Sequence, residues 1–313
     1  MSLPTILQQM GVICILVAIG ILLQKKGIVD NLTSRKLSAI VVDVCNPALI
    51  LASILGGNIT ADHKDLIYAA GLGAALYTVL VILGFIMPHI LHVAPDKRKF
   101  YNLMCVYTNT GFLGIPVARA ILPANAIIYV IVINVFYSLF FYTHGLAILG
   151  DGPEDAGKKK ENPLRHIINP GTVMAILSLV VFWFNIELPP IIGNTIEYVG
   201  NATVFLSMVL LGVSIARSNL FKSLRDARIW IFIVLRLILL PVLIILVMHA
   251  LSFDKTAILG VALMAAVPVG NLPMIQAEKK GMDSTILSSA IAVTTAVSIL
   301  TITAIIAAAT ALL

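Results

Sequence analysis

Asn109 stands between Thr108 and Thr110 and is followed by Gly111, Gly114 and Pro116. All six lie inside an apolar run from about residue 100 to 122. A second stretch of the same character, Pro268, Gly270, Asn271 and Pro273, lies in a run from about residue 256 to 277. Amides and hydroxyls in apolar surroundings are hydrogen-bonding groups placed for a solute. Pro116 and Pro273 lack the N–H that a helix interior needs, and the glycines loosen the turn and let backbone approach a ligand closely. A bilayer tolerates such breaks where the freed backbone groups line a protein-enclosed or wet cavity. Each half-helix end exposes unpaired N–H groups and carries roughly half a positive charge, which attracts carboxylates. The chemistry implied by these ten residues is the binding of an anion. The competing reading is that proline and glycine only kink helices for packing, and two breaks in corresponding positions weigh against it.

Five further residues are candidates for substrate contact or ion coupling. Asp43 stands one turn before Asn46 and Pro47, and an acid at that depth is costly unless it is paired or used in transport. It is either a proton-coupling group or a hydrated group at the end of its span. Arg119, one turn beyond Pro116, has three readings: pairing with a carboxylate substrate, snorkelling to the headgroups, or neutralising a resident acid. Asn201 repeats the setting of Asn46, and Gln276 adds an amide beyond Pro273. Arg236 also lies inside an apolar span.

The elements that must position these groups are membrane helices. The chain has 313 residues, is 59% hydrophobic and 12% charged, and has a mean hydropathy of +1.02. That composition belongs to a polytopic all-α membrane protein. Ten spans are expected at about residues 5–23, 36–56, 66–92, 100–122, 125–149, 170–187, 191–216, 229–251, 256–277 and 283–312. The first is read as a retained span rather than a cleaved signal. Seventeen of the 21 Lys and Arg fall in connections after odd-numbered spans. The positive-inside rule then places those connections in the cytoplasm and both termini outside. The same placement explains the basic charge without a nucleic-acid partner. A charged linker, 151–168, separates residues 1–150 from 169–313. Five spans on each side give two halves of opposite orientation, an inverted repeat. Asn46 and Asn201 are 155 residues apart, and Pro116 and Pro273 are 157 apart. Breaks at matched positions in the fourth and ninth spans mark a transporter site, with the two broken helices crossing.

The sequence holds no paired Asp cluster, no His-Glu-x-x-His and no phosphate loop followed by Lys, so neither an enzyme nor an ATP-driven pump is expected. The six His show no ligand spacing, and Cys14, Cys45 and Cys105 read as buried small hydrophobes. No metal or cofactor is implied, with sodium or proton coupling left open.

The run Asn109-Thr110-Gly111-Phe112-Leu113-Gly114-Ile115-Pro116 resembles the fourth-span signature of the auxin efflux carrier family, whose bacterial members are called malate or malonate permeases. Asn46-Pro47-Ala48-Leu49-Ile50 and the run Asn201 to Ser214 are also similar to that family. The resemblance implies a ten-span fold of two inverted repeats. It implies a dimerising scaffold, from about 1–60 and 169–217, and a transport domain, from about 61–150 and 228–313. It further implies elevator-type alternating access in the cell membrane, with a mono- or dicarboxylate held at Asn109 and the half-helix ends. The wider superfamily includes sodium-coupled bile-acid-type symporters, which is one alternative. A non-transporting sensor or scaffold with a carrier fold is the other. The long hydrophilic central loop of the plant exporters is not present, so phosphorylation control of such a loop does not carry over.

Overall fold

The computed structural model describes residues 3–55, 63–153, 170–217 and 226–313, and every regular element in them is helical. The expected linker, with Lys158–Lys160 and Arg165, lies outside the described residues apart from its first positions, as do Lys222 and Arg225. The helices are α1 (Leu3–Lys25), α2 (Asn31–Ile40), α3 (Asn46–Leu55), α4 (His63–Ile90), α5 (Arg98–Val106), α6 (Ile115–Ile121), α7 (Ile127–Phe140), α8 (Leu146–Leu149), α9 (Pro170–Trp183), α10 (Pro190–Arg217), α11 (Ala227–Ile233), α12 (Leu240–Ala250), α13 (Lys255–Ala266), α14 (Leu272–Lys279) and α15 (Thr285–Leu312).

π-helical stretches fuse three pairs into single rods: Val41–Cys45 joins α2 to α3, Phe141–Gly145 joins α7 to α8, and Val234–Leu239 joins α11 to α12. With those fusions, seven helices of the described residues are long and apolar enough to cross a membrane. Three shorter apolar helices accompany them, Thr110–Ile121, Pro170–Trp183 and Lys255–Ala266. Aspartates start several helices by accepting backbone N–H bonds: Asp30 from Thr33 at 2.7 Å, Asp226 from Arg228 at 2.9 Å and Asp254 from Thr256 at 2.9 Å. Each satisfies a donor that the first turn leaves unpaired and sets its charge against the positive helix end.

Packing sorts the rods. α1 lies along α10, where a side chain at Gly20 would strike the Val209 backbone and one at Gly212 the Val17 backbone. Such close backbone contact is how membrane helices associate without a hydrophobic driving force. α3 packs on α10 and on α9, while α4 packs on α5 and α7. α13 contacts α12, α15 and α7, and every residue from Ala257 to Ala266 is buried. The outer surface carries large apolar side chains such as Ile15, Ile67, Leu246 and Leu251. Cys45 and Cys105 are buried as expected, but Cys14 is exposed on the α1 surface, because α1 offers only one face to its neighbours.

Candidate functional site

The helix α5 stops at Val106. Tyr107 turns extended (φ −104°, ψ 99°), and Val267, after α13, does the same (φ −65°, ψ 147°). The two unwound segments lie antiparallel, with Thr108 opposite Val269. Asn109 N–H donates to the Pro268 carbonyl at 2.7 Å and Gly270 N–H to the Tyr107 carbonyl at 2.9 Å. The expected crossing of the two breaks is therefore a short two-stranded ladder buried among helices. It satisfies backbone groups that a bilayer interior would otherwise leave unpaired. Gly270 is required by this approach: a Cβ there would lie 2.6 Å from the Thr108 carbonyl oxygen. Val269 N–H is bound by the Thr294 hydroxyl of α15 at 3.2 Å.

Beyond the ladder each chain re-enters a helix. Asn109 caps the first, its Oδ1 accepting from Phe112 N–H at 3.2 Å. A π-helical turn, Thr110–Gly114, then leads into α6. Asn271 begins the second, its carbonyl accepting from Ile275 N–H at 3.0 Å. Both prolines sit in the first turn of α6 and of α14, not at the points of unwinding. Pro273, in the first turn of its half-helix, forgoes an N–H that has no intrahelical partner, whereas Pro116 follows the π-helical turn inside the continuous helical stretch Thr110–Ile121.

The amino ends of these half-helices open on a cavity of about 340 Å³. Nine of the predicted residues line it: Asp43, Asn46, Thr108, Asn109, Thr110, Gly111, Gly270, Asn271 and Gln276. Gly114, Pro116, Pro268 and Pro273 are not on the wall. Gly114 packs against Met264, and Pro268 serves the ladder through its carbonyl. Arg119 and Asn201 are also off the wall and meet each other, Nη1 to Oδ1 at 3.4 Å, with Glu197 as the charged neighbour of Arg119.

Residues beyond the predicted site residues complete the cavity. Asn134, Tyr137, Ser138 and Tyr142 come from α7 and its π-helical continuation, Phe112 from the first π turn, and Pro170 and Gly171 from the start of α9. Asn134, Ser138 and Tyr142 recur every four residues on one helix face, a polar stripe within an apolar run that marks them in the sequence. Asn134 Oδ1 accepts from the Thr110 hydroxyl at 2.9 Å. Behind the wall, Tyr107 stands edge-on to Phe141 (5.0 Å) and Tyr137 (5.8 Å), and its hydroxyl lies 2.8 Å from His144 Nδ1. This aromatic packing fixes the ladder from α7.

Three wall amides have an atom that is buried and has no protein partner among the described residues: Asn46 Oδ1, Asn109 Nδ2 and Asn271 Oδ1. Buried polar groups are rarely left unpaired, and a cluster facing one cavity marks a place where a ligand or water completes the bonding. Asp43 is the one charged residue among the described lining residues. A larger hollow of about 660 Å³ between α3, α9 and α10 includes Glu187 and Glu197 but no residue of either break. The smaller cavity is the candidate site because backbone ends and unpaired amides converge there.

Residues 5–306 match the family model described as a membrane transport protein. The chain belongs to that family. It is the auxin efflux carrier family whose signature Asn109–Pro116 resembles. Two archaeal relatives align over nearly the full length. One is an uncharacterized transporter of Methanothermobacter thermautotrophicus, 23% identical over 293 residues, spanning 93% of this chain and 94% of that protein. The other, uncharacterized transporter MJ1031 of Methanocaldococcus jannaschii, is 22% identical over 303 residues with the same coverage. The chain is thus a membrane-embedded transport protein.

Proposed function

We propose that the chain is a secondary carrier for a small organic anion, a monocarboxylate with an apolar body, working by elevator-type alternating access. The observation that carries this is the cavity at the paired breaks. Two half-helix amino ends and the Asn109 amide offer donors to one carboxylate, while Phe112, Tyr137, Tyr142 and Ile275 offer apolar surface. With Arg119 away from the wall, no side-chain cation among the described lining residues meets a second carboxylate, which favours a monoanion over malate or malonate. The volume lies at the small end of ligand pockets, about 300–1,000 Å³.

In this reading the seven long and three short apolar helices make ten spans in two inverted five-helix repeats. α1, α2–α3, α9 and α10 are the scaffold, which dimerises in the cell membrane with both termini extracytoplasmic. α4–α8 and α11–α15 are the moving domain. Support comes from the packing, which groups α1, α3, α9 and α10, and from the cavity, whose wall takes Asp43, Asn46 and Gly171 from one group and Asn109, Asn134 and Asn271 from the other. Asp43 is the carboxylate available to carry a coupling proton.

The test is uptake of labelled indole-3-acetate, malate and malonate into proteoliposomes under imposed proton and sodium gradients. Indole-3-acetate should enter fastest, and Asn109→Ala should lower its kcat/KM by about tenfold or more, the loss of one charged-group hydrogen bond. Equal uptake by the variant would remove Asn109 from the site, and no uptake of any anion would favour the sensor reading.

A further inference from the structure

We propose that Arg236 is the resident cation of the crossover, a fixed guanidinium that holds the place where a carrier of this build would bind a coupling cation, so the cycle runs without sodium. The sodium clause rests on the transport reading above; the placement of the cation does not.

Arg236 lies in the π-helical stretch Val234–Leu239 and is 1% exposed. Its Nε donates to the Cys105 carbonyl at 2.7 Å, and its Nη1 donates to the Ala265 carbonyl. Those two carbonyls belong to the last turns of α5 and α13, the half-helices that lead into the ladder. In unbroken helices they would accept from the N–H groups four residues on, those of Asn109 and Val269. Asn109 N–H is instead committed to Pro268 and Val269 N–H to Thr294. Both breaks therefore free one carbonyl at the equivalent place, and a single guanidinium takes both.

The charges balance as well. Each half-helix carboxyl end carries roughly half a negative charge, so two ends together offset about one positive charge. Among the described residues the titratable neighbours of Arg236 are Cys105 and Tyr77, neither of them a carboxylate. A buried ion needs a counter-charge, and here the helix ends supply it. Freed carbonyls and half-helix carboxyl ends are the groups that coordinate sodium in transporters built on broken helices. Arg236 occupies them with a charge that does not dissociate at physiological pH and does not exchange with solution. Its forked geometry spans two carbonyls from two helices, which a lysine ammonium on a flexible stem does not reproduce. Nη2 has no protein partner among the described residues, so two of the three nitrogens do the bridging.

The experiment compares melting of the purified full-length chain in sodium, potassium and choline chloride at equal ionic strength, for the wild type, Arg236→Lys and Arg236→Ala. The wild type should melt alike in all three salts. Arg236→Ala should melt lower by roughly 5–10 °C and regain part of that on adding a low, non-denaturing concentration of guanidinium, which should not raise the wild-type midpoint. Arg236→Lys should fall between. Selective stabilisation of the wild type by sodium would overturn the proposal without any variant being needed. So would an Arg236→Ala midpoint equal to the wild type, or one that guanidinium leaves unmoved. In proteoliposomes, indole-3-acetate uptake should be the same when choline replaces sodium, and accumulation driven by a sodium gradient would overturn the sodium clause. Absence of uptake for every anion would count against the transport reading, while the melting comparison still decides the role of Arg236.

Discussion

Replacing Gly270 by alanine tests the crossover where it is tightest. A Cβ at that position would stand 2.6 Å from the Thr108 carbonyl oxygen and 3.2 Å from that of Tyr107. Both obstacles are backbone of the facing segment, so no side chain can swing aside. The methyl group must push the segments apart and stretch the bonds Gly270 N–H to Tyr107 at 2.9 Å and Asn109 N–H to Pro268 at 2.7 Å. Leaving a buried group unsatisfied costs about 1–3 kcal/mol, so two broken bonds cost about 2–6 kcal/mol. The reduced freedom of alanine in the unfolded chain returns only about 0.4–1 kcal/mol. The net loss is about 1–5 kcal/mol, which at roughly 2–4 °C per kcal/mol lowers the melting midpoint by about 2–20 °C. The assay is a thermal melt of purified Gly270→Ala beside Gly71→Ala. Gly71 lies inside α4 with nothing within 4 Å of an added Cβ, so alanine there should hold or raise the midpoint. A Gly270→Ala midpoint within about 2 °C of the wild type would refute the pairing of the two breaks.

Three further outcomes are expected. Thr110→Val keeps shape but removes the donor to Asn134 Oδ1, both residues being buried; it should cost about 1–3 kcal/mol in denaturant stability, with Thr110→Ser close to wild type. Arg119→Ala, being off the cavity wall beside Asn201 and Glu197, should change KM for the transported anion by less than about twofold, a split from Asn109→Ala that competition uptake would reveal. Asp254 lies in the turn before α13, and its bonds to Thr256, the hydroxyl first, hold its carboxyl below the usual range. That stabilisation is complete above the unfolded-state value of about 3.9 and is lost as pH falls through the lower folded-state value. Asp254→Ala should therefore melt lower than wild type at neutral pH, by the roughly 1 kcal/mol of a cap at most. Titrating both proteins should show the gap holding down to about pH 4 and closing below it.

The existence of the two breaks was legible from residue type, since Asn, Gly and Pro inside an apolar run have few other uses, and their pairing from the matched offset of Pro116 and Pro273 and the alternation of Lys and Arg. Their geometry was not. The prolines announce a break, yet the helices end eight to ten residues before Pro116 and six to seven before Pro273, because the ladder between Thr108 and Val269 decides where winding stops. A ladder partner is a tertiary fact that neither segment encodes by itself. Arg119 shows the same limit: its spacing from Pro116 is evident, but only the direction of α6 carries it to Asn201 rather than into the cavity. Asn134 and Tyr142 left a periodic trace on one face of α7, whereas Arg236 left none, because its partners are carbonyls and no side-chain pattern records a carbonyl.

The directions of the four half-helices sort charge around the crossover. The carboxyl ends of α5 and α13 turn to Arg236, which neutralises them, and the amino ends that follow turn to the cavity. On the proposed carrier reading, the donors of the two amino ends face the cavity, while the guanidinium, bound to the two carbonyls that precede the ladder, stands outside the lining residues. A carboxylate held there would meet about one unit of positive charge made of two partial ones and neutral amides, with Asp43 as the charge that opposes it.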